Sequence, residues 1–184
     1  MRAIQKSKAM ILFFAGCLSI LVAGCGMAIP RYSISMDNVT ALRAYRGTTV
    51  SVGQFSAATP AEKEILCRLA ATIRTPDGES YEEFIRKAFI DELKVTELYS
   101  AGAPVTLTGH VDQLDFSSTS GVWEIALTLK SSNGRTVSVK ERYNFGFVWM
   151  GDQACNEGAK AFVPAVQNLV SKVIRHDNFS SLLR

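Results

Sequence analysis

"VWEIALTLKSSNGRTVSVKERYNF" runs from Val122 to Phe145, and its pattern decides the fold. Trp123, Ile125, Leu127 and Leu129 share one parity, as a strand with one buried face requires. After a polar break the same period returns in Val137, Val139, Tyr143 and Phe145, and continues to Phe147 and Trp149. Between the two runs stands Asn133-Gly134, a strong hairpin signal because both residues tolerate positive φ. Upstream, "PVTLTGHV" alternates Val105, Leu107 and Val111 around Gly109, which predicts a third strand. The aromatic set Tyr143, Phe145, Phe147 and Trp149 is expected to pack in the core rather than line a ligand groove. Glu141 falls on the apolar parity, so it is expected at an edge, at a bulge or with a partner.

Helices flank these strands. Ser80 and Glu83 form a capping box. Phe84, Ile85, Ala88, Phe89 and Leu93 then follow a helical period, continued by Val95 or Leu98. Glu82 with Arg86 and Glu83 with Lys87 are spaced as i,i+4 pairs on the solvent face, and "SAGAP" is expected to end the helix at Gly102 and Pro104. A last helix starting near Asp152 carries Cys155, Ala159, Phe162, Val163, Val166, Leu169, Val170, Val173 and Ile174 on one stripe. Pro164 is expected to kink or restart it, and "NFSSLLR" packs or frays. Near the other end, Asp37 is read as the cap of a short helix with Val39, Leu42 and Tyr45, stopped by Gly47. Thr48 to Phe55 is β-rich. Residues 59–75 stay open. Thr59, Pro60 and Glu62 mark a helix start, and Ile65, Leu66, Leu69 and Ile73 keep a helical period, but an extended segment around Cys67 fits as well. The order β-α-β-β-β-α predicts a single α+β domain: an antiparallel sheet with helices packed on one face.

The first residues read as an export signal. Arg2, Lys6 and Lys8 precede 15 uncharged residues, Ala9 to Ala23, whereas a membrane-spanning helix needs roughly 20 apolar ones. Val22-Ala23-Gly24-Cys25 resembles the lipobox of bacterial lipoproteins. The resemblance implies a diacylglyceryl group on the Cys25 sulfur, cleavage before Cys25 and acylation of its amine. The expected organisation is a signal peptide over 1–24, a lipidated tether over 25–31 and a periplasmic domain over 32–184. Residue 26 is Gly rather than the Asp that retains such proteins at the inner membrane, which implies the outer membrane, facing the periplasm. Loss of the leader takes three of the 20 basic residues and leaves 17 against 17 acidic ones. No basic stripe suited to phosphates is present, so a nucleic-acid partner is set aside. Cys17 leaves with the leader and Cys25 takes lipid. Cys67 and Cys155 remain in an oxidising compartment, where a disulfide between them is expected and two separate buried thiols are the alternative.

No G-x-S-x-G elbow, H-E-x-x-H, P-loop or G-x-G-x-x-G occurs, and no cofactor or metal is expected. His110 lies on the polar parity of its strand, and His176 lies near a helix end where the dipole alone favours it. Asp112 and Asp115 are read as solvent-facing, and Ser117 to Gly121 as a polar turn. With the lipobox, "CRLAATIRTPDG" (Cys67–Gly78), "YEEFIRKAFIDELK" (Tyr81–Lys94) and "FVPAVQNLVSKVI" (Phe162–Ile174) give the chain a layout that resembles small proteobacterial lipoproteins of the YajG type. More distantly, it resembles α/β domains of periplasmic accessory lipoproteins in envelope transport and assembly. The resemblance implies a sheet-plus-helices fold, an envelope role and no catalytic residue. The expected function is therefore non-enzymatic: an outer-membrane lipoprotein, held to the membrane at Cys25, whose domain binds an envelope protein partner. The alternative is a lipid-anchored enzyme or small-ligand binder using a cleft between sheet and helices.

Overall fold

The computed structural model describes residues 26–68 and 71–184; residues 1–24, read above as a signal peptide, Cys25, Leu69 and Ala70 lie outside the described residues. In chain order the elements are β1 (Gly26–Ala28), α1 (Met36–Leu42, continued by a 3-10 turn Arg43–Tyr45), β2 (Ser51–Ala57), β3 (Glu64–Cys67), β4 (Ala71–Arg74), α2 (Tyr81–Val95), β5 (Thr106–Ser117), β6 (Val122–Ser131), β7 (Thr136–Asn144), α3 (Gly151–Ile174) and α4 (Phe179–Leu182). They build one α+β domain with a four-stranded sheet, β2-β5-β6-β7, and a three-stranded sheet, β1-β4-β3.

The central alternation holds. Leu107, Trp123, Ile125, Leu127, Leu129 and Val137 are buried beneath α2 and α3, while Thr108, Lys130 and Arg142 face solvent. The sheet is not wholly antiparallel. β2 runs parallel to β5, because β3, β4 and α2 intervene between them and supply the crossover that parallel pairing needs. A register shift between Val52 and Phe55 lets these residues of opposite parity both turn inward. In the β6–β7 hairpin only Gly134 takes positive φ, at 87°, so the turn is not the one in which both Asn133 and Gly134 do.

Between residues 59 and 75 the regular elements are strands, not a helix. β3 and β4 form an antiparallel hairpin with Ile65 opposite Ile73 and Cys67 opposite Ala71. Thr59 and Pro60 start no helix, because the backbone here is held from outside: the Ala61 amide donates to Glu82 Oε1 at 2.9 Å and the Tyr81 amide to the Glu62 carbonyl at 2.9 Å. The predicted tether is also docked. β1 pairs in parallel with β4, Ile29 is buried, and Arg31 meets Asp77 at 2.6 Å.

Helix ends differ from expectation in instructive ways. Ser35, not Asp37, caps α1, accepting from the Asn38 amide at 3.4 Å. Ser80 caps α2 through the Glu83 amide, but the Glu83 carboxylate turns to Arg86 at 2.7 Å. Glu82 is buried, and Lys87 pairs with Glu79, so neither expected i,i+4 pair forms. α2 stops at Val95, well before Gly102. The chain leaves because the Leu98 amide returns to the Leu93 carbonyl at 2.9 Å, while the Val50 amide takes the Leu98 carbonyl at 2.9 Å. That exit puts the exposed Glu97 at φ 62°, the left-handed position where glycine is preferred. α3 passes through Pro164 without restarting, and the tail packs, with Phe179 and Leu182 fully buried.

The two sheets meet at α3. A side chain on Gly158 would come within 2.6 Å of the Phe116 ring and 3.2 Å of Ile73 Cδ1, so a residue that weakens helices is the one that lets α3 touch both β5 and β4. The Trp123 indole donates to the Gly158 carbonyl at 2.8 Å, and its ring packs on Phe116, Phe162 and Tyr81.

Two stability predictions follow from these placements. Gly158→Ala should lower stability by about 1 kcal/mol, overpacking of about 1–3 kcal/mol exceeding a propensity gain of about 1 kcal/mol. In a Phe116→Ala background the same change should be neutral or stabilising. Denaturant midpoints across this cycle decide it, and an unchanged midpoint for Gly158→Ala alone contradicts the packing argument. Glu97→Gly should raise stability by about 1 kcal/mol by relieving the left-handed backbone, read as a higher melting temperature; a lower one would show that this exit is not strained.

Candidate functional site

Of the residues first weighed for chemistry, Asp112 and Asp115 line one cleft, and each of the four is engaged in a local hydrogen bond. His110 Nδ1 shares a 2.8 Å hydrogen bond with Ser56 Oγ on the open face of the sheet. Asp112 accepts from Thr128 Oγ1 at 2.8 Å, and Thr128 is bonded in turn to Ser138. Asp115 accepts from Gln113 Nε2. His176 follows the end of α3, where its Nδ1 accepts from the Asn178 amide at 3.1 Å. Of the three placements expected for Glu141, it carries a partner: it is buried, with Lys172 Nζ at 2.8 Å and Asn168 Nδ2 at 3.3 Å.

A cleft of about 170 Å³ lies between the start of α2 and β5, with Glu62, Tyr81, Glu82, Asp112 and Asp115 on its walls. Burial, then the neighbouring Glu82 charge, raises the Glu62 carboxyl above its ordinary range. Among the described residues no three His, Cys, Asp or Glu side chains come together to hold a metal.

More is concentrated at the end of the molecule where the described chain begins. Gly26 is level with Thr72, and Thr72 with Leu66. One row further, Cys67 and Ala71 close the hairpin. Cys67 is joined to Cys155 in the first turns of α3, with a Cα–Cα distance of 5.9 Å; the disulfide expected from the sequence is formed. Beside it, Arg68 sits at φ 50° and is held there by its own side chain. Its Nε donates to Ser118 Oγ at 3.1 Å, and its Nη2 donates to the carbonyls of Ser118 at 3.2 Å and Val148 at 3.1 Å.

Val148 belongs to the segment "FGFVWMG", Phe145 to Gly151, which carries no charged residue. β7 ends at Asn144, so Phe147 and Trp149 do not continue its buried face. They are 59% and 83% exposed, and Met150 is 60% exposed. This corrects the expectation that all four aromatic residues pack in the core. The strand is stopped at a crossing. Gly121, at φ 66°, lies so close to the Gly146 backbone that a Cβ there would stand 2.0 Å from the Gly146 carbonyl oxygen. The Phe145 amide donates to the Gly121 carbonyl at 2.8 Å, and the Phe145 ring stacks on Phe116 with 6.1 Å between centroids. The loop is thus fastened at Phe145 and Val148 while its apolar side chains point out. Two glycines bounding an apolar run without polar alternation were the available sequence signal. Nothing around Arg68 announced its role.

No protein-family model matches the chain, and no curated protein matches it. Among solved structures the chain is similar to protein XCC0632 from Xanthomonas campestris, whose crystal structure carries the family-model description DUF330, with a TM-score of 0.49 and 13% identity over 85% of this chain and 98% of that one. No residue role follows from that likeness.

Proposed function

We propose that the protein is an outer-membrane lipoprotein, acylated at Cys25, whose periplasmic domain is a non-catalytic accessory subunit that binds a protein partner in envelope assembly or transport. The observation that carries this reading is the lipobox-like Val22-Ala23-Gly24-Cys25 behind a basic start and a short apolar run. The Cys67–Cys155 disulfide supports it independently, because such bonds persist in oxidising compartments. The engagement of His110, Asp112, Asp115 and His176 in local hydrogen bonds, with no nucleophile–base pair among them, supports binding over turnover. The small-ligand reading draws on the acidic cleft of about 170 Å³, which is smaller than the roughly 300–1,000 Å³ of ordinary ligand pockets.

Two or three acyl chains hold a protein stably at roughly 0.8 kcal/mol per buried methylene, whereas one holds marginally. Cys25→Ala should therefore abolish incorporation of a fatty-acid probe and leave an uncleaved precursor; undiminished labelling in that variant would sink the reading, and recovery of the wild-type protein with the inner membrane would overturn its location. For the partner, photo-crosslinkers at Met36 and Val95 suit the question. These exposed residues line one depression with Arg43 and Arg46, and α2 reaches it at its C-terminal end. A discrete adduct with another envelope protein in intact cells is the expected result, and unaltered envelope function in a strain lacking the protein would refute an accessory role.

A further inference from the structure

We propose that the loop bearing Phe147, Trp149 and Met150 seats these side chains in the headgroup–acyl boundary of the same phospholipid surface that holds the Cys25 lipid, so that the domain is held to the membrane at two points. This rests on the proposed acylation of Cys25 and adds a second membrane contact to it.

The geometry begins with chain connectivity. The Cys25 α-carbon lies about 3.8 Å from that of Gly26, whatever its own conformation. Gly26 is already a strand residue, paired with Thr72, so no free linker separates the lipid-bearing residue from the folded domain. Neighbouring strands are about 4.8 Å apart. Gly26 and the row-mate Leu66, two strands across, are therefore roughly 10 Å apart, and Leu66 is 61% exposed. One row further toward this end the hairpin turns, and Arg68 reaches from it to the Val148 carbonyl at 3.1 Å. The anchor point, the exposed Leu66 and the aromatic loop thus belong to one end of the molecule. A lipid attached at Gly26's neighbour brings that end against the bilayer.

The side chains fit that surface. Tryptophan and phenylalanine are favoured at the membrane–water boundary, and peripheral binding scales with the apolar area buried there. Residues 145–151 carry no charge that would need dehydration. The loop is presented by fixed contacts at Phe145 and Val148, so little conformational entropy is lost on insertion. Phe147, Trp149 and Met150 are exposed together, as apolar side chains at an interaction surface are, and the anchor at the same end makes lipid the surface within reach.

The chain has two tryptophans. Trp123 is fully buried, so quenchers outside the fold read Trp149. The full-length acylated protein, its acylation verified by N-terminal mass, would be reconstituted into phosphatidylethanolamine–phosphatidylglycerol vesicles with and without brominated acyl chains. The expected result is a loss of emission with brominated lipid and protection of the same emission from aqueous iodide, both absent in Trp149→Phe. Phe147→Ser with Met150→Ser should weaken the quenching while acylation and melting temperature stay unchanged. Verified acylation with Trp149 still quenched by iodide and untouched by brominated lipid would overturn the second contact and leave the anchor reading standing, pointing instead to a protein partner for the loop. Absence of the acyl group from the native protein would overturn both.

Discussion

At Gly158 the backbone of α3 comes into contact with both sheets at once, and the rest of the fold is arranged around that approach. The space a methyl group would need is filled by the Phe116 ring from β5 and by Ile73 from β4. The Gly158 carbonyl accepts a hydrogen bond from the buried Trp123 indole of β6. A tryptophan can be buried at no polar cost only if its N–H finds an acceptor. Here a helix carbonyl supplies it, and the ring then anchors a cluster that reaches Tyr81 on α2 and Phe162 on α3. The Cys67–Cys155 bond lies one turn before Gly158 on the same helix. The small sheet is therefore fastened to α3 by covalent linkage and by close packing within a few residues.

A second constraint holds the N-terminal segment. Glu92 is fully buried on α2, a position that costs several kcal/mol for an uncompensated carboxylate. Its Oε1 accepts from the Tyr32 hydroxyl at 2.7 Å, the Ser35 amide at 2.9 Å and Asn38 Nδ2 at 3.4 Å. Asn38 donates also to the Gln167 carbonyl on α3 at 3.0 Å. Burial, then the hydrogen bond to Glu92, pushes the Tyr32 hydroxyl far above its ordinary value, so it remains a donor. The polar groups of Tyr32, Ser35 and Asn38 thus bind this segment to two long helices, alongside the pairing of β1 with β4.

What was legible in the residues is what a period reports. Strict alternation in β6 and the long stripe of α3 gave buried faces that the structure keeps, because each element buries one face against a partner and little else competes. The pairing of Cys67 with Cys155 was expected from the export reading of the first residues, and the disulfide is formed. Misreadings arose where distant groups override local pattern. Ile65, Leu66 and Ile73 keep a helical spacing, yet Glu82 and the Tyr81 amide capture residues 61–62 and the disulfide to Cys155 pins Cys67. Leu98 extends the apolar face of α2, yet Val50 takes its carbonyl into a bridge. The parity of β7 continues on paper to Trp149, but the crossing of Gly121 and Gly146 ends the strand after Asn144. Parallel pairing of β2 with β5 was invisible, since the residues of one strand do not record the direction of its neighbour.

These constraints converge on the loop. Phe145 stacks on Phe116, and Phe116 is the ring against which Gly158 is fitted. The direction in which Phe147, Trp149 and Met150 leave the domain is therefore set by the same contact that joins the sheets. A lipid chain attached through a long tether would leave a domain free to swivel, and any surface patch would meet the bilayer only at a low effective concentration. Here β1 removes that freedom. With the chain paired from Gly26 onward, a lipid on Cys25 would present the patch at the same end of the domain to the bilayer at a high effective concentration, and even a weak apolar contact would then select one orientation. In that orientation the start of β5, the β6–β7 hairpin and α4, which are tied together by Ser132, Ser131 and Asn133, would point away from the membrane, and a partner would meet the domain at that end.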